Sequence, residues 1–136
     1  MDIHQQILSS LRSGRSEEED TIKLLKDHES LDINHRGIFG MTFLMAAALH
    51  GYMGVVLFLL ERGAVIDTQS PDGLTAIVWA TKFCHVEVMK LLIEQGADVT
   101  IPTNSGETFL NNFLDEEIKK DFEKIVEQRN NRYIKG

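Results

Sequence analysis

The feature of this sequence that most limits its possible folds is a repeat with a period of 33 residues. Gly40, Gly73 and Gly106 stand 33 residues apart, and Thr42, Thr75 and Thr108 keep the same step. A fixed period of this length indicates supersecondary units that stack and bury their apolar faces against one another. The matched pairs in the second half of the unit are Val55 with Val88, Leu59 with Leu92, Leu60 with Ile93, and Gly63–Ala64 with Gly96–Ala97.

Each unit predicts a turn, a short helix, a tight loop and a longer helix. Thr42 and Thr75 stand where a hydroxyl caps the first helix. Gly63 and Gly96 end the second helix, where a left-handed residue is favoured. Between these signals, apolar residues have the spacing of one buried helix face: Val55, Val56, Leu59 and Leu60.

These segments resemble ankyrin repeats. The stretches Gly40–Met–Thr–Phe–Leu and Gly73–Leu–Thr–Ala–Ile are similar to the ankyrin opening, glycine–any–threonine–proline–leucine–histidine. Residues 55–64 and 88–99 resemble its second half, and the resemblance is strong over residues 32–114. It implies an all-α ankyrin-repeat solenoid of stacked helix–turn–helix units joined by extended turns. Residues 1–136 then form a single domain, with an N-terminal capping repeat (1–36), two repeats (37–69 and 70–102) and a C-terminal capping repeat (103–136).

The chain departs from the family pattern at three kinds of position. Phe43, Ala76 and Phe109 replace the proline, and Met45, Val78 and Asn111 replace the histidine. We therefore expect the threonine–histidine hydrogen bonding of the turn to be lost and apolar packing to compensate. Cys84 replaces the glycine between the helices, which the preceding unit keeps as Gly51.

The two ends read as degenerate units. Ile3, Ile7 and Leu11 have helical spacing near the N-terminus, and near the C-terminus an apolar stripe contains Ile118, Phe122, Ile125 and Val126. The acidic run at 17–20 is open to two interpretations. It begins a helix, where negative charge suits the dipole, or it forms a contact patch for a basic partner.

Charge and cysteine content bound the environment of the chain. The net charge of -7 disfavours nucleic acid and anionic membranes as partners, since both select basic surfaces. A single cysteine permits no intrachain disulfide, and no secretory signal is visible, so we expect a reducing, cytoplasmic setting, or the host cytosol if an intracellular pathogen makes the protein. Residues 41–60 lack charges and have the length of a membrane span, but glycines interrupt them, which predicts two short helices and no membrane insertion.

No constellation of residues predicts catalysis, a cofactor or a metal. Cys84 and His85 are adjacent, and neighbours on a helix do not face each other, so an enzyme built on this pair is kept only as an alternative. The histidines lack ligand spacing, and the glycine-rich turns lack a phosphate-loop lysine. We therefore predict that the chain is not an enzyme.

The leading hypothesis is a non-catalytic, adaptor-like module that binds a protein partner through the concave face and the turn tips. One alternative is a homodimer that uses the apolar residues of the same contact surface. Another is an inhibitor or regulator of a kinase or other enzyme. A competing interpretation is that the extra apolar residues pack locally, for which Trp79 and Phe43 are the better candidates. The resemblance implies that partner contacts come from the turn tips and the exposed side of the first helices. The predicted partner-binding residues at those positions are Ile38, Phe39, Met41, Leu49, His50, Pro71, Asp72, Leu74, Lys82 and Phe83.

Overall fold

The computed structural model describes residues 2–13, 18–113 and 115–135, and the side chains at 12, 13, 38 and 133–135 lie outside that description. The described part contains seven α-helices and two 3-10 turns, and it contains no strand. The all-α prediction is therefore confirmed. The helices are α1 Ile3–Ser13, α2 Glu18–Lys26, α3 Phe43–His50, α4 Met53–Glu61, α5 Ala76–Lys82, α6 Val86–Glu94 and α7 Glu116–Lys135, and the 3-10 turns are Ile38–Gly40 and Phe109–Asn112.

The helices form two layers of stacked antiparallel pairs. The first helices of successive units pack in the order α1, α3, α5 and then the Phe109–Asn112 turn, while α2, α4 and α6 pack in a second layer. Within the units, α1 packs on α2, α3 on α4 and α5 on α6. This is the predicted solenoid, in which each unit contacts its sequence neighbours. The uncharged stretch at 41–60 forms α3 and α4, as the sequence predicts.

One apolar core runs between the layers from the first unit to the last. Fully buried side chains come from each pair in turn, including Leu11, Phe43, Leu59, Ile77 and Leu92. The core closes on an aromatic cluster in which Phe109 packs edge-on against Phe113 and Phe122, with ring centroids 5.1 and 5.8 Å away. Phe122 and Val126 of α7 are buried, so the apolar stripe predicted on this helix is confirmed.

The predicted threonine caps have different outcomes in the two full repeats. Thr42 Oγ1 accepts a hydrogen bond from the backbone N–H of Met45 at 3.2 Å, as expected. The cap predicted at Thr75 is wrong, because its hydroxyl is buried and has no hydrogen-bond partner among the described residues. In the last unit, the backbone N–H and the hydroxyl of Thr108 both donate to Asn111 Oδ1, at 2.8 and 3.1 Å. The expected loss of turn hydrogen bonding therefore does not hold there, because asparagine supplies an acceptor.

The loop between the two helices of a unit needs a left-handed residue. Gly51 has φ +76° at this point, and Cys84 has φ +60° at the matching point one unit later. The match supports the assignment of Cys84 to the family's glycine position. A residue with a Cβ is strained by roughly 1–2 kcal/mol in this conformation.

Side-chain hydrogen bonds join neighbouring units at their edges. Asn34 Oδ1 accepts from the backbone N–H of Val65 at 2.8 Å, and Asp67 Oδ1 accepts from that of Asp98 at 2.9 Å, one repeat further on. Glu18 Oε1 accepts from the backbone N–H of Val55 at 2.9 Å and so caps α4 from the preceding unit. These bonds satisfy backbone donors that a short helix or turn leaves open.

Candidate functional site

The turns that precede the first helices stack closely on one another. Each contains a glycine of positive φ, namely Gly40, Gly73 and Gly106. A Cβ on Gly40 would lie 2.6 Å from Pro71 Cγ, and one on Gly73 would lie 2.6 Å from the backbone nitrogen of Asn104. Gly40 and Gly73 therefore permit the close approach of neighbouring turns as well as the turn conformation.

Hydrogen bonds hold two of these turns, those that contain Gly73 and Gly106, to each other. Asn104 donates from its backbone nitrogen to the backbone oxygen of Asp72 at 3.1 Å and from Nδ2 to that of Pro71 at 2.8 Å. Gln69 Nε2 donates to the backbone oxygens of Gly73 and Pro102, both at 3.0 Å. The side chains on these two turns are thus carried by a backbone that hydrogen bonds hold in place.

An open groove of about 420 Å³ lies between α5 and these two turns. We call it the α5 groove. Its size is within the range of small ligand sites, and its walls carry carboxylate, ammonium, amide, hydroxyl and indole groups. The residues that line it are Asp72, Leu74, Trp79, Lys82, Thr103, Asn104, Ser105 and Glu107.

The structure brings three of the predicted partner-binding residues together in this groove: Asp72, Leu74 and Lys82. Asp72 and Lys82 are exposed, whereas only 7% of Leu74 is exposed. The prediction of Leu74 as a partner-binding residue at the surface is therefore wrong. The reason is local: Leu74 precedes α5 and packs into the core, and its backbone is tied to Ser70 in both directions, at 2.8 and 3.1 Å.

The two phenylalanines among the predicted partner-binding residues are exposed at separate places. Phe39 lies in the first turn with 74% of its surface exposed, and Phe83 follows α5 with 53% exposed. The remaining predicted residues differ in exposure. Pro71 is exposed, Met41, Leu49 and His50 are half-buried, and the side chain of Ile38 lies outside the described residues.

Phe39 combines exposure with backbone strain. Its φ of +68° is in the left-handed region, although the residue has a Cβ and a bulky ring. At the matching place in the next turn, Asp72 does not have a positive φ. A large residue held in this region costs on the order of 1–3 kcal/mol, and such strain is concentrated at functional sites.

Trp79 was missed as a candidate site residue. The sequence favours local packing for Trp79 and Phe43, and Phe43 is indeed fully buried. Trp79 is only half-buried and lines the α5 groove, and its Nε1 has no hydrogen-bond partner among the described residues. Its position in the repeat contained the signal, because it matches Ala46, a small residue on the first helix of the preceding unit.

Further exposed apolar residues lie on the second helix layer. Met53 and Leu57 of α4 are 45% and 37% exposed and stand one helical turn apart. Neither residue is among the predicted partner-binding residues. They provide a comparison surface for binding experiments, because α4 belongs to the other layer of the solenoid from α5.

The contacts of the adjacent Cys84 and His85 indicate a structural role for the histidine. His85 Nε2 lies 2.8 Å from the backbone oxygen of Leu49, and because a carbonyl only accepts, Nε2 carries the proton of this bond. Cys84 is an exposed free thiol. Within the described ranges, no three potential metal ligands cluster, and no helix has both the length and the hydropathy that a membrane span needs.

Comparisons with known proteins agree with this architecture. The family model for ankyrin repeats matches residues 11–103 with three copies. The chain is 33% identical over 97 residues to the human BCL-6 corepressor-like protein 1, with 71% of this chain and 5% of that protein aligned. It is 38% identical over 90 residues to the mouse ankyrin repeat and SAM domain-containing protein 6, with 63% of this chain and 10% of that protein aligned.

Enzymes also contain similar segments. The mouse serine/threonine-protein kinase TNNI3K is 34% identical over 82 residues, with 54% of this chain and 10% of the kinase aligned. The chain thus spans a tenth or less of these relatives, and the ankyrin fold itself is an interaction fold rather than a catalytic one. From the matched repeats and the stacked helix pairs together, the chain belongs to the ankyrin-repeat family.

Proposed function

We propose that this chain binds a protein partner through the surface formed by its turn tips and the first helix layer. The observation that carries the proposal is Phe39, an aromatic side chain that is 74% exposed on a backbone with φ +68°. Exposing a large apolar ring and straining its backbone both destabilise the fold. A bound partner that covers the ring offsets these costs, and buried aromatic residues commonly dominate binding energy.

Two further observations support the same surface. Phe83 is exposed directly after α5, a helix of the first layer, and the α5 groove lies beside that helix. Ankyrin repeats are generally protein–protein interaction modules. The free cysteine favours a reducing compartment, and we propose a cytoplasmic adaptor role for the chain.

The test compares variants of two surfaces in partner capture from source cells, quantified by mass spectrometry. The first variant carries Phe39→Ser and Phe83→Ser, and the matched control carries Met53→Ser and Leu57→Ser on α4. We expect the first variant to lose specific partners that the control retains, with unchanged helical circular dichroism in both. Equal capture by both variants, or loss in the α4 variant alone, contradicts the proposed surface.

A homodimer is the second candidate, and the same exposed phenylalanines motivate it, since a self-complementary patch closes a two-fold dimer. Light scattering behind a sizing column separates the two. A molar mass near the 15.4 kDa of one chain favours a different protein as the partner. A mass near twice that value, which returns to one chain in the Phe39→Ser, Phe83→Ser variant, favours the dimer.

A further inference from the structure

We propose that the α5 groove binds the guanidinium group of an arginine side chain that the protein partner presents. This inference rests on the proposed function and names the chemistry of one contact within it. It is carried by the charges in the groove, by the indole in its wall and by the fixed backbone of its rim.

The charges in the groove favour a cation. Asp72 and Glu107 contribute two carboxylates to the lining, and Lys82 contributes the one ammonium group. All three residues are exposed, and the chain as a whole has a net charge of -7. A cationic side chain is therefore attracted both by the chain at long range and by the groove at short range, whereas an anion is opposed at both distances.

The indole of Trp79 favours arginine over lysine. It is half-buried and lines the groove together with both carboxylates, so that an aromatic ring is available to a cation bound there. A guanidinium group stacks on an indole while donating to carboxylates in its own plane, and it is less strongly hydrated than an ammonium group. The open shape of the groove suits a side chain that enters from a partner's surface.

The rim is fixed before a ligand arrives. Asp72 is anchored by its backbone oxygen, which accepts from Asn104 N at 3.1 Å. Glu107 is anchored by its backbone oxygen, which accepts from Thr103 N at 2.8 Å. Because both carboxylates are carried by hydrogen-bonded turns, little backbone freedom is lost on binding, which favours a defined site.

The experiment titrates the whole chain with four blocked pentapeptides that differ only at the central residue between alanines: arginine, lysine, norleucine or glutamate. Trp79 is the one tryptophan of the chain, so its fluorescence reports on the groove directly. At low ionic strength, we expect saturable binding of the arginine peptide with a Kd of about 1 mM, weaker binding of the lysine peptide and no binding of the other two.

The variants distinguish binding in the groove from general attraction by the net charge of the protein. Asp72→Asn and Glu107→Gln should each weaken arginine-peptide binding about threefold, and Lys82→Met should strengthen it by a similar factor. Glu94→Gln removes the same unit of charge from an exposed site on α6 and should leave binding nearly unchanged. An opposite effect of Lys82→Met and Asp72→Asn is the signature of a site that contains both groups.

Several results overturn the inference. They are arginine binding no tighter than norleucine, lysine binding as tight as arginine, preferred binding of glutamate, or equal weakening by Asp72→Asn and Glu94→Gln. None of these results contradicts the proposed function if the Phe39→Ser, Phe83→Ser variant still loses its partner. Arginine-peptide binding combined with unchanged partner capture in that variant shows the reverse, a groove that binds cations and an incorrect assignment of Phe39 and Phe83.

Discussion

His85 Nε2 donates a hydrogen bond to the backbone oxygen of Leu49 at 2.8 Å while its ring lies against Gly51. One side chain thereby ties the loop of one repeat to the end of α3 in the repeat before it. A Cβ on Gly51 would lie 2.5 Å from His85 Nδ1, so the absence of a side chain at Gly51 is what lets the two units meet here.

Gly51→Ala should therefore destabilise the fold through two effects. Alanine is strained at φ +76°, and its Cβ collides with the His85 ring. We expect a loss of about 2–4 kcal/mol in the free energy of unfolding. Gly63→Ala is the matched control, because Gly63 has φ +93° with nothing within 4 Å of a new Cβ, and it should cost only about 1–2 kcal/mol. Chemical denaturation measures both, and equal losses would contradict the account of His85.

Thr42 and Thr75 occupy the same position in consecutive repeats but should respond oppositely to replacement by valine. Thr42→Val removes the hydroxyl that accepts from Met45 N and should cost about 1 kcal/mol. Thr75→Val removes a buried hydroxyl that has no partner among the described residues and should stabilise the fold by roughly 0.5–1 kcal/mol. Thermal and denaturant unfolding give the two signs, and destabilisation by both variants would show that Thr75 Oγ1 is paired in solution.

The carboxylate of Glu18 caps α4 across the unit boundary. Its Oε1 accepts from Val55 N at 2.9 Å, and α4 has no capping side chain of its own at Tyr52. Glu18→Ala should therefore lower the free energy of unfolding by about 1 kcal/mol. The neighbouring Glu19→Ala, at an exposed position of the same helix turn, should change it by less than about 0.5 kcal/mol. Similar losses in the two variants would indicate a general charge effect rather than a cap.

Asp98 should add a small dependence of stability on pH. The hydroxyl and backbone N–H of Thr100 donate to its Oδ1 at 2.6 and 2.9 Å, and these bonds lower the pKa of Asp98 below its ordinary value. A carboxyl whose pKa is lower in the folded state stabilises the fold above its unfolded pKa and loses that contribution as the pH falls through the folded pKa. Asp98→Asn should thus be less stable than the parent near pH 7, by under about 1 kcal/mol because the site is exposed. The difference should shrink below about pH 4, and unfolding curves at pH 7 and pH 3 would contradict this if the gap were constant.

The sequence predicted the repeat architecture well because the constraint recurs. A glycine with positive φ recurs at the same step in successive units, as Gly40 and Gly73 do. An apolar helix face also recurs, as Leu59 and Leu92 do, so each occurrence supports the assignment of the other. Some contacts between units recur at the same step, as those of Asn34 and Asp67 do, but others do not. The bonds from Glu18 to Val55 and from His85 to Leu49 join residues 37 and 36 positions apart, and nothing in the local pattern around either residue indicates its partner.

The candidate site was less predictable for a related reason. Position in the repeat correctly placed Phe39, Phe83, Asp72 and Lys82 at the surface, because these positions face outward in stacked units. It failed for Leu74, whose side chain turns into the core where the turn meets α5. Burial at such a junction depends on how two neighbouring units pack, and one sequence alone does not contain that geometry.

The central claim is that Phe39 and Phe83 contact a protein partner, and site-specific photo-crosslinking tests it most directly. The photoreactive residue p-benzoylphenylalanine would replace Phe39, Phe83 or, as the control on the other layer, Leu57, and each form would be irradiated in source cells. We predict a covalent adduct with the same partner from positions 39 and 83 and none from position 57. An adduct from position 57 alone, or equal adducts from all three positions, would contradict the account.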